Sequence, residues 1–146
     1  MSDVALELRK VIDEALPRLK ALSEVEASAQ RGAGKWVRKE ILGHLIDSAS
    51  NNHQRFVRGQ TVERLVLPGY EQEAWVRVQA YGRRTWAELL VLWEAYNRHL
   101  AHLIEIAPEA RLATPCEIGG KEAVTLGWIM SDYVRHQRHH LAQILG

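Results

Sequence analysis

The chain contains one cysteine, Cys116, so no internal disulfide framework can hold it together and its core must come from packing alone. No apolar run approaches the roughly 20 residues needed to cross a bilayer. No signal-peptide pattern precedes the polar start MSDVALELRK, and a cytoplasmic location with no membrane attachment is expected. An excess of charge of one sign is missing too: the formal net charge is +1 with 25% charged residues, so no whole-chain field draws the protein to nucleic acid or anionic lipid. Internal repeats and low-complexity segments are absent, as are HExxH, a P-loop and a GxSxG elbow.

What is present is 146 residues, enough for one domain with a full core and too few for two of ordinary size, so a single domain over residues 1–146 is expected. Val4, Leu8, Val11, Ile12, Ala15, Leu19 and Leu22 recur at helical spacing and predict a first helix over 3–22, kinked by Pro17. Ser23 with Glu26 can cap one further turn before the RGAGK loop. A second helix runs from about Trp36 to Arg58 and stops at Gly59. The segment LVLPGYEQEAWVRVQAYG reads as a long crossover with one helical piece near Ala74 to Tyr81. Thr85 and Glu88 form a capping box for a third helix ending near Pro108, and Asn97 falls within its apolar face, where a buried amide must join a polar network or line a cavity. Gly119-Gly120 fits a short β-hairpin turn, and Thr125 caps a last helix reaching Leu145. Four long helices without a convincing sheet predict an all-α four-helix bundle with a long crossover between the second and third.

The last helix carries three histidines in five residues, His136, His139 and His140. At about 100° per residue, His140 falls on the apolar arc between Ile129 and Tyr133 and His136 at its edge, while His139 projects outside it near Asp132. An i, i+4 pair of imidazoles, with Cβ atoms about 5–6 Å apart, can bind one metal ion; two hydrogen-bonded core histidines are the equal alternative. On the second helix Glu40, His44, Asp47 and Asn51 form one polar strip beside the apolar face, either a solvated surface or the wall of a polar cavity. His53, His99 and His102 lie outside the apolar stripes and read as solvated, and Cys116 as a reduced, semi-buried thiol. A di-iron bundle would need two ExxH motifs, and EILGH is one residue too long.

Taken together, W-x3-E-I-L-x-H-L-x-D-S over Trp36 to Ser48, PGYEQEAW in the crossover, Trp93 with Asn97, and Y-x2-H-x2-H-H-x2-Q-I over Tyr133 to Ile144 resemble the DinB/YfiT superfamily along nearly the whole chain. The resemblance implies a four-helix bundle holding one divalent metal, usually zinc or nickel, with His44, His136 and His140 as ligands. It makes Glu40, Asp47 and Gln143 the candidates for proton transfer or for supporting the ligands, with Asn97 and Tyr133 lining the pocket. Family analogy also implies a homodimer.

Three ligands leave a tetrahedral ion one open position. Water there can lose a proton at a pKa of about 7, and a thiol becomes thiolate. The first expectation, carried by branches of the superfamily, is a thiol S-transferase that activates a low-molecular-weight thiol, such as bacillithiol, mycothiol or glutathione, for attack on a small electrophile in a detoxification or stress setting. A hydrolase using metal-bound hydroxide on a small-molecule substrate is the second, and a non-enzymatic metal-binding bundle the third.

Overall fold

The apolar stripes become four long helices in the computed structural model, which describes residues 1–146. Helix α1 (Ser2–Lys20) buries Ala5, Leu8, Val11, Ile12, Ala15 and Leu19, one face of a 3.6-residue period. Pro17 lies in its last turn, and the helix continues past it to Lys20. Ser23 caps the short α2 (Glu24–Ser28), its hydroxyl accepting the Glu26 N–H at 3.1 Å. Helix α3 (Arg38–Arg58) begins two residues later than expected, because the Glu40 carboxylate accepts the Val37 N–H at 3.0 Å and fixes the start there. Trp36 is thereby left outside the helix. The α3 helix ends at Gly59, as read.

The crossover contains more order than the sequence suggests: strand β1 (Leu65–Leu67), helix α4 (Gln72–Gln79) and a 3-10 turn at Tyr81–Arg83. Ala80 breaks α4 in a left-handed conformation (φ 48°). Helix α5 (Trp86–Ile106) starts with the Thr85–Glu88 capping box, and α6 (Leu126–Leu145) with the Thr125 hydroxyl accepting the Trp128 N–H at 3.1 Å. Between them β2 (Pro115–Ile118) and β3 (Val124–Thr125) pair antiparallel, with Cys116 opposite Val124. The hairpin is therefore wider than a two-residue turn. Gly119 and Gly120 still make its tight corner, at φ 64° and 72°, a region glycine enters without strain. β1 pairs in parallel with β2, and the Gly119 N–H extends the ladder by donating to the Leu67 carbonyl at 2.9 Å.

Helix α1 packs on α5 and α6, and α3 packs on the same two. Successive long helices α1 and α3 thus occupy one diagonal of the bundle, and α5 and α6 the other. A link between diagonal helices must cross the bundle end, which lengthens the α1–α3 and α5–α6 connections beyond the two to eight residues or so usual between adjacent antiparallel helices. The link between adjacent α3 and α5 is long because it carries β1 and α4. Across the core the diagonal pair α5 and α6 meets through polar groups. The buried Trp93 Nε1–H donates to Gln137 Oε1 at 3.1 Å, and the Tyr133 hydroxyl donates to Asn97 Oδ1 at 2.5 Å.

Candidate metal centre

Helices α3 and α6 run antiparallel, and their ends are tied before any site exists. The Arg38 guanidinium, in the first turn of α3, donates to the Ile144 carbonyl at 2.9 Å, and Arg31 donates to the Gln143 carbonyl at 2.9 Å. These cations satisfy carbonyls that the last turn of α6 leaves free. With the start of α3 held on the end of α6, the side chain two turns into α3, His44, meets His136 and His140.

The three rings converge. His44 Nε2 lies 3.3 Å from His136 Nε2, and one nitrogen from each of the three histidines falls within 4.8 Å of the others. Gln143 Oε1 lies 2.8 Å from His140 Nδ1, which places the proton on that nitrogen and leaves the Nε2 lone pair free. Ser48 Oγ sits 3.4 Å from His136 Nδ1, on the far side of that ring from His44. Trp36, outside the helix, covers His44 with ring centroids 5.2 Å apart. Burial, with the neighbouring His140 and His136 adding to it, pushes His44 down to about 3. Burial likewise lowers His136 to about 4 and lowers His140. All three imidazoles are neutral at pH 7, the form that binds metal.

The triad fits one divalent ion. With metal–nitrogen distances of about 2.0–2.1 Å, two imidazoles on a tetrahedral ion stand about 3.3–3.4 Å apart, and the His44–His136 separation of 3.3 Å matches that edge. No hydrogen-bond partner reaches the buried His44 Nδ1. His139 is exposed and outside the triad, its ring edge-on to that of His140 with centroids 4.9 Å apart and its Nε2 3.5 Å from Gln143 Nε2.

Glu40 and Asp47, the α3 carboxylates nearest His44 in the sequence, have hydrogen-bond partners outside the triad. Glu40 is committed to the Val37 N–H. Asp47, almost fully buried, accepts from the Tyr81 hydroxyl at 2.5 Å and from Gln79 Nε2 at 2.7 Å, so it anchors the crossover on α3; burial raises its pKa, against those two hydrogen bonds. Asn97 is not among the residues lining the cavity beside the triad: it stands behind Tyr133 and holds it, its own amide donating to the Trp93 carbonyl at 2.9 Å. Tyr133 does line that cavity, and Gln143 does touch a triad histidine. His53 is half-buried instead of solvated, its Nδ1 2.9 Å from the Tyr96 hydroxyl and apart from the triad. Cys116 is fully buried, where a semi-buried thiol is expected, and its thiol reaches the Thr114 carbonyl at 3.4 Å.

A cavity of about 440 Å³ opens beside His136, between α3, α6, the crossover and the hairpin. Ser48, Asn52 and Arg55 line it from α3, Tyr70 from the crossover and Trp128 from α6. Ser48 and Asn52 escaped the sequence reading; their spacing from His44, at i+4 and i+8, was the available signal.

A profile of the DinB superfamily matches residues 7–144. The protein named "Putative metal-dependent hydrolase YfiT" from Bacillus subtilis is 27% identical over 140 residues, covering 92% of this chain and 79% of that one. A "Putative metal-dependent hydrolase" of Geobacillus thermodenitrificans is 26% identical over 141 residues, covering 94% and 78%. The solved structure of YfiT from Bacillus subtilis, described as a probable metal-dependent hydrolase with an unusual four-helix bundle topology, superposes with a TM-score of 0.84 at 21% identity over 97% of this chain and 82% of that one. That likeness shows the fold.

Proposed function

The chain belongs to the DinB superfamily, and on that premise we propose that it is a metal-dependent enzyme acting on a small molecule, with His44, His136 and His140 as the ligands of one ion. Zinc or nickel suits such a donor set, and either ion, when bound, lowers the pKa of a thiol or a water that reaches its remaining position. The chain's own groups prepare that position. Burial keeps lone pairs on His44 and His136 at neutral pH, Gln143 selects the tautomer of His140, and Trp36 closes one side of His44. The cavity beside His136 receives the substrate.

Within that class the geometry favours activation of a low-molecular-weight thiol for transfer to a small electrophile. The observation that carries this reading is that each carboxylate near the triad already has a partner: Glu40 is held by the Val37 N–H, Asp47 by Tyr81 and Gln79, and Asp132, which lines the cavity with His136, by Arg135. Hydrolysis of an ester or amide asks for a positioned group that passes a proton to the leaving atom. A thiol, with an ordinary pKa of about 8.5, has a single proton to lose and solvent at the cavity mouth to take it. Hydrolysis is the second reading, favoured by the names of the relatives.

The test is a titration of cobalt-substituted protein with glutathione, bacillithiol and mycothiol. A new sulfur-to-metal charge-transfer band, together with thiol consumption in a panel of electrophiles, is expected. A spectrum unchanged by all three thiols would overturn thiol activation and leave water as the working ligand.

A further inference from the structure

His44, Ser48, Asn52 and Arg55 follow one another along α3 at intervals of four, four and three residues, a spacing that puts them in one row on one helix face. The first belongs to the triad, and the other three line the cavity beside it. Arg55 closes that row. It is half-buried, with no carboxylate in ion-pair contact, and its single side-chain hydrogen bond runs to Asn52 Oδ1 at 3.4 Å. Burial lowers its pKa, and the polar neighbours that oppose this are Tyr70 and Cys116, both neutral at pH 7. A guanidinium removed from water without a counter-charge is costly unless something brings one. Nothing within the cavity does so. Asp132, the one carboxylate on its α6 wall, is engaged by Arg135 at 2.9 Å, and Glu122 sits exposed on the hairpin loop beside Lys121.

We propose that Arg55 is the anchor for a carboxylate at the far end of the small molecule whose other end meets the triad. The inference rests on the proposed use of the triad, and it adds the substrate class: an elongated monoanion, charged at one end and reactive at the other. One planar fork matches one carboxylate, with the Tyr70 hydroxyl as a neutral donor in the same cavity, while Asn52 donates to Ser48 and offers Arg55 its oxygen. The separation is considerable. From residue 44 to residue 55, a step of 55 − 44 = 11, the helix rises about 16 Å, although an arginine side chain leans back toward the helix start and shortens the gap.

The probes are ω-mercaptoalkanoic acids and the ω-mercaptoalkanols of matching length, titrated calorimetrically into the zinc-loaded protein, the Arg55→Gln variant and the Arg55→Lys variant. Wild type should bind an acid of suitable length at least about tenfold more tightly than its alcohol. Arg55→Gln should lose that preference while keeping its zinc content and its affinity for the alcohol, and Arg55→Lys should keep part of it. Equal binding of acid and alcohol by wild type, or a preference that survives in Arg55→Gln, overturns the assignment. If no thiol engages the metal, the proposed function fails separately. The anchor is then read from thiol-free alkanoates and inorganic phosphate through the Arg55 Nε–H resonance, identified by its loss in Arg55→Gln. A shift with alkanoate that exceeds the shift with phosphate supports the carboxylate anchor; no shift, or a larger one with phosphate, overturns it.

Discussion

The Nε2 atoms of His44 and His136 stand 3.3 Å apart although 92 positions separate the two residues in the chain. Only the folded bundle brings them together. An ion that binds this arrangement and not the unfolded chain must stabilise the fold by mass action, by about 2.7 kcal/mol when free metal exceeds its Kd a hundredfold.

Chelation should therefore lower the thermal midpoint without unfolding the protein at 25 °C, because a core cluster of 31 buried hydrophobic residues packs independently of the triad. Circular dichroism before and after metal removal checks this. Loss of helical signal at room temperature would assign the ion a structural role instead.

Replacing adjacent histidines should have unlike effects. His140→Ala removes one of the three converging nitrogens and should abolish most metal retention, whereas His139→Ala, at an exposed position, should keep about one ion per chain and leave the thermal midpoint within a degree or two. Metal analysis of both untagged variants decides; retention by His140→Ala with loss in His139→Ala would remove the proposed ligand set.

The metal-free protein should lose stability on mild acidification. Burial holds His44 at about 3 and His136 at about 4, below the ordinary 6.5. Between those values the unfolded chain binds more protons, so stability present above 6.5 falls as the pH drops toward 4, by up to about 1.4 kcal/mol per pH unit for each group. Asp47 acts in the opposite sense, since its raised folded pKa contributes stability below the ordinary 3.8 that is lost as the pH rises through the folded value. Thermal midpoints from pH 7.5 to 4.5 should decline; a flat profile contradicts the buried, neutral histidines.

At the crossover, Gly43 is the sensitive position. A Cβ there would lie 2.1 Å from Cδ2 of the Tyr81 ring, which must then move and surrender its hydrogen bond to Asp47. Gly43→Ala should cost about 1–3 kcal/mol in denaturant unfolding, the usual range for overpacking. Unchanged stability would show that the crossover yields freely.

Behind the cavity, Tyr133→Phe leaves Asn97 Oδ1 buried without its donor and should cost about 1–3 kcal/mol while metal content holds. Asn97→Ala should cost less in that background than in wild type, since the two residues share one interaction. Additive losses would mean that the hydrogen bond contributes nothing.

The long helices, their Ser23, Thr85 and Thr125 caps and the shared face of His136 and His140 are readable because each depends on local spacing. The joining of His44 to that pair, 92 positions from His136, is expected only from the resemblance to the DinB/YfiT superfamily. The sequence misled along α3. Glu40, His44, Asp47 and Asn51 read as one polar strip, yet Asp47 is turned to Tyr81 and Gln79 through Oδ1, and the residues of α3 that line the cavity are Ser48, Asn52 and Arg55, in one row with His44. A helical wheel supposes one wet face, and from Ile41 to Ala49 this helix has none: core lies on one side and the crossover on the other. Strand β1 escaped because three residues carry too little periodicity, and its partner β2 lies far along the chain.

The parallel pairing of Leu65–Leu67 with Cys116–Ile118 has a consequence for how such a protein can diversify. The proposed metal-holding side chains stand on rods, α3 and α6, whereas much of the cavity wall is spun from the connections between rods. Descendants can exchange what the cavity accepts by editing those connections and leave the rods alone. Because Leu67 and Gly119 are stitched together, the two connections must be edited in concert: an insertion on either side of the seam drags the other with it.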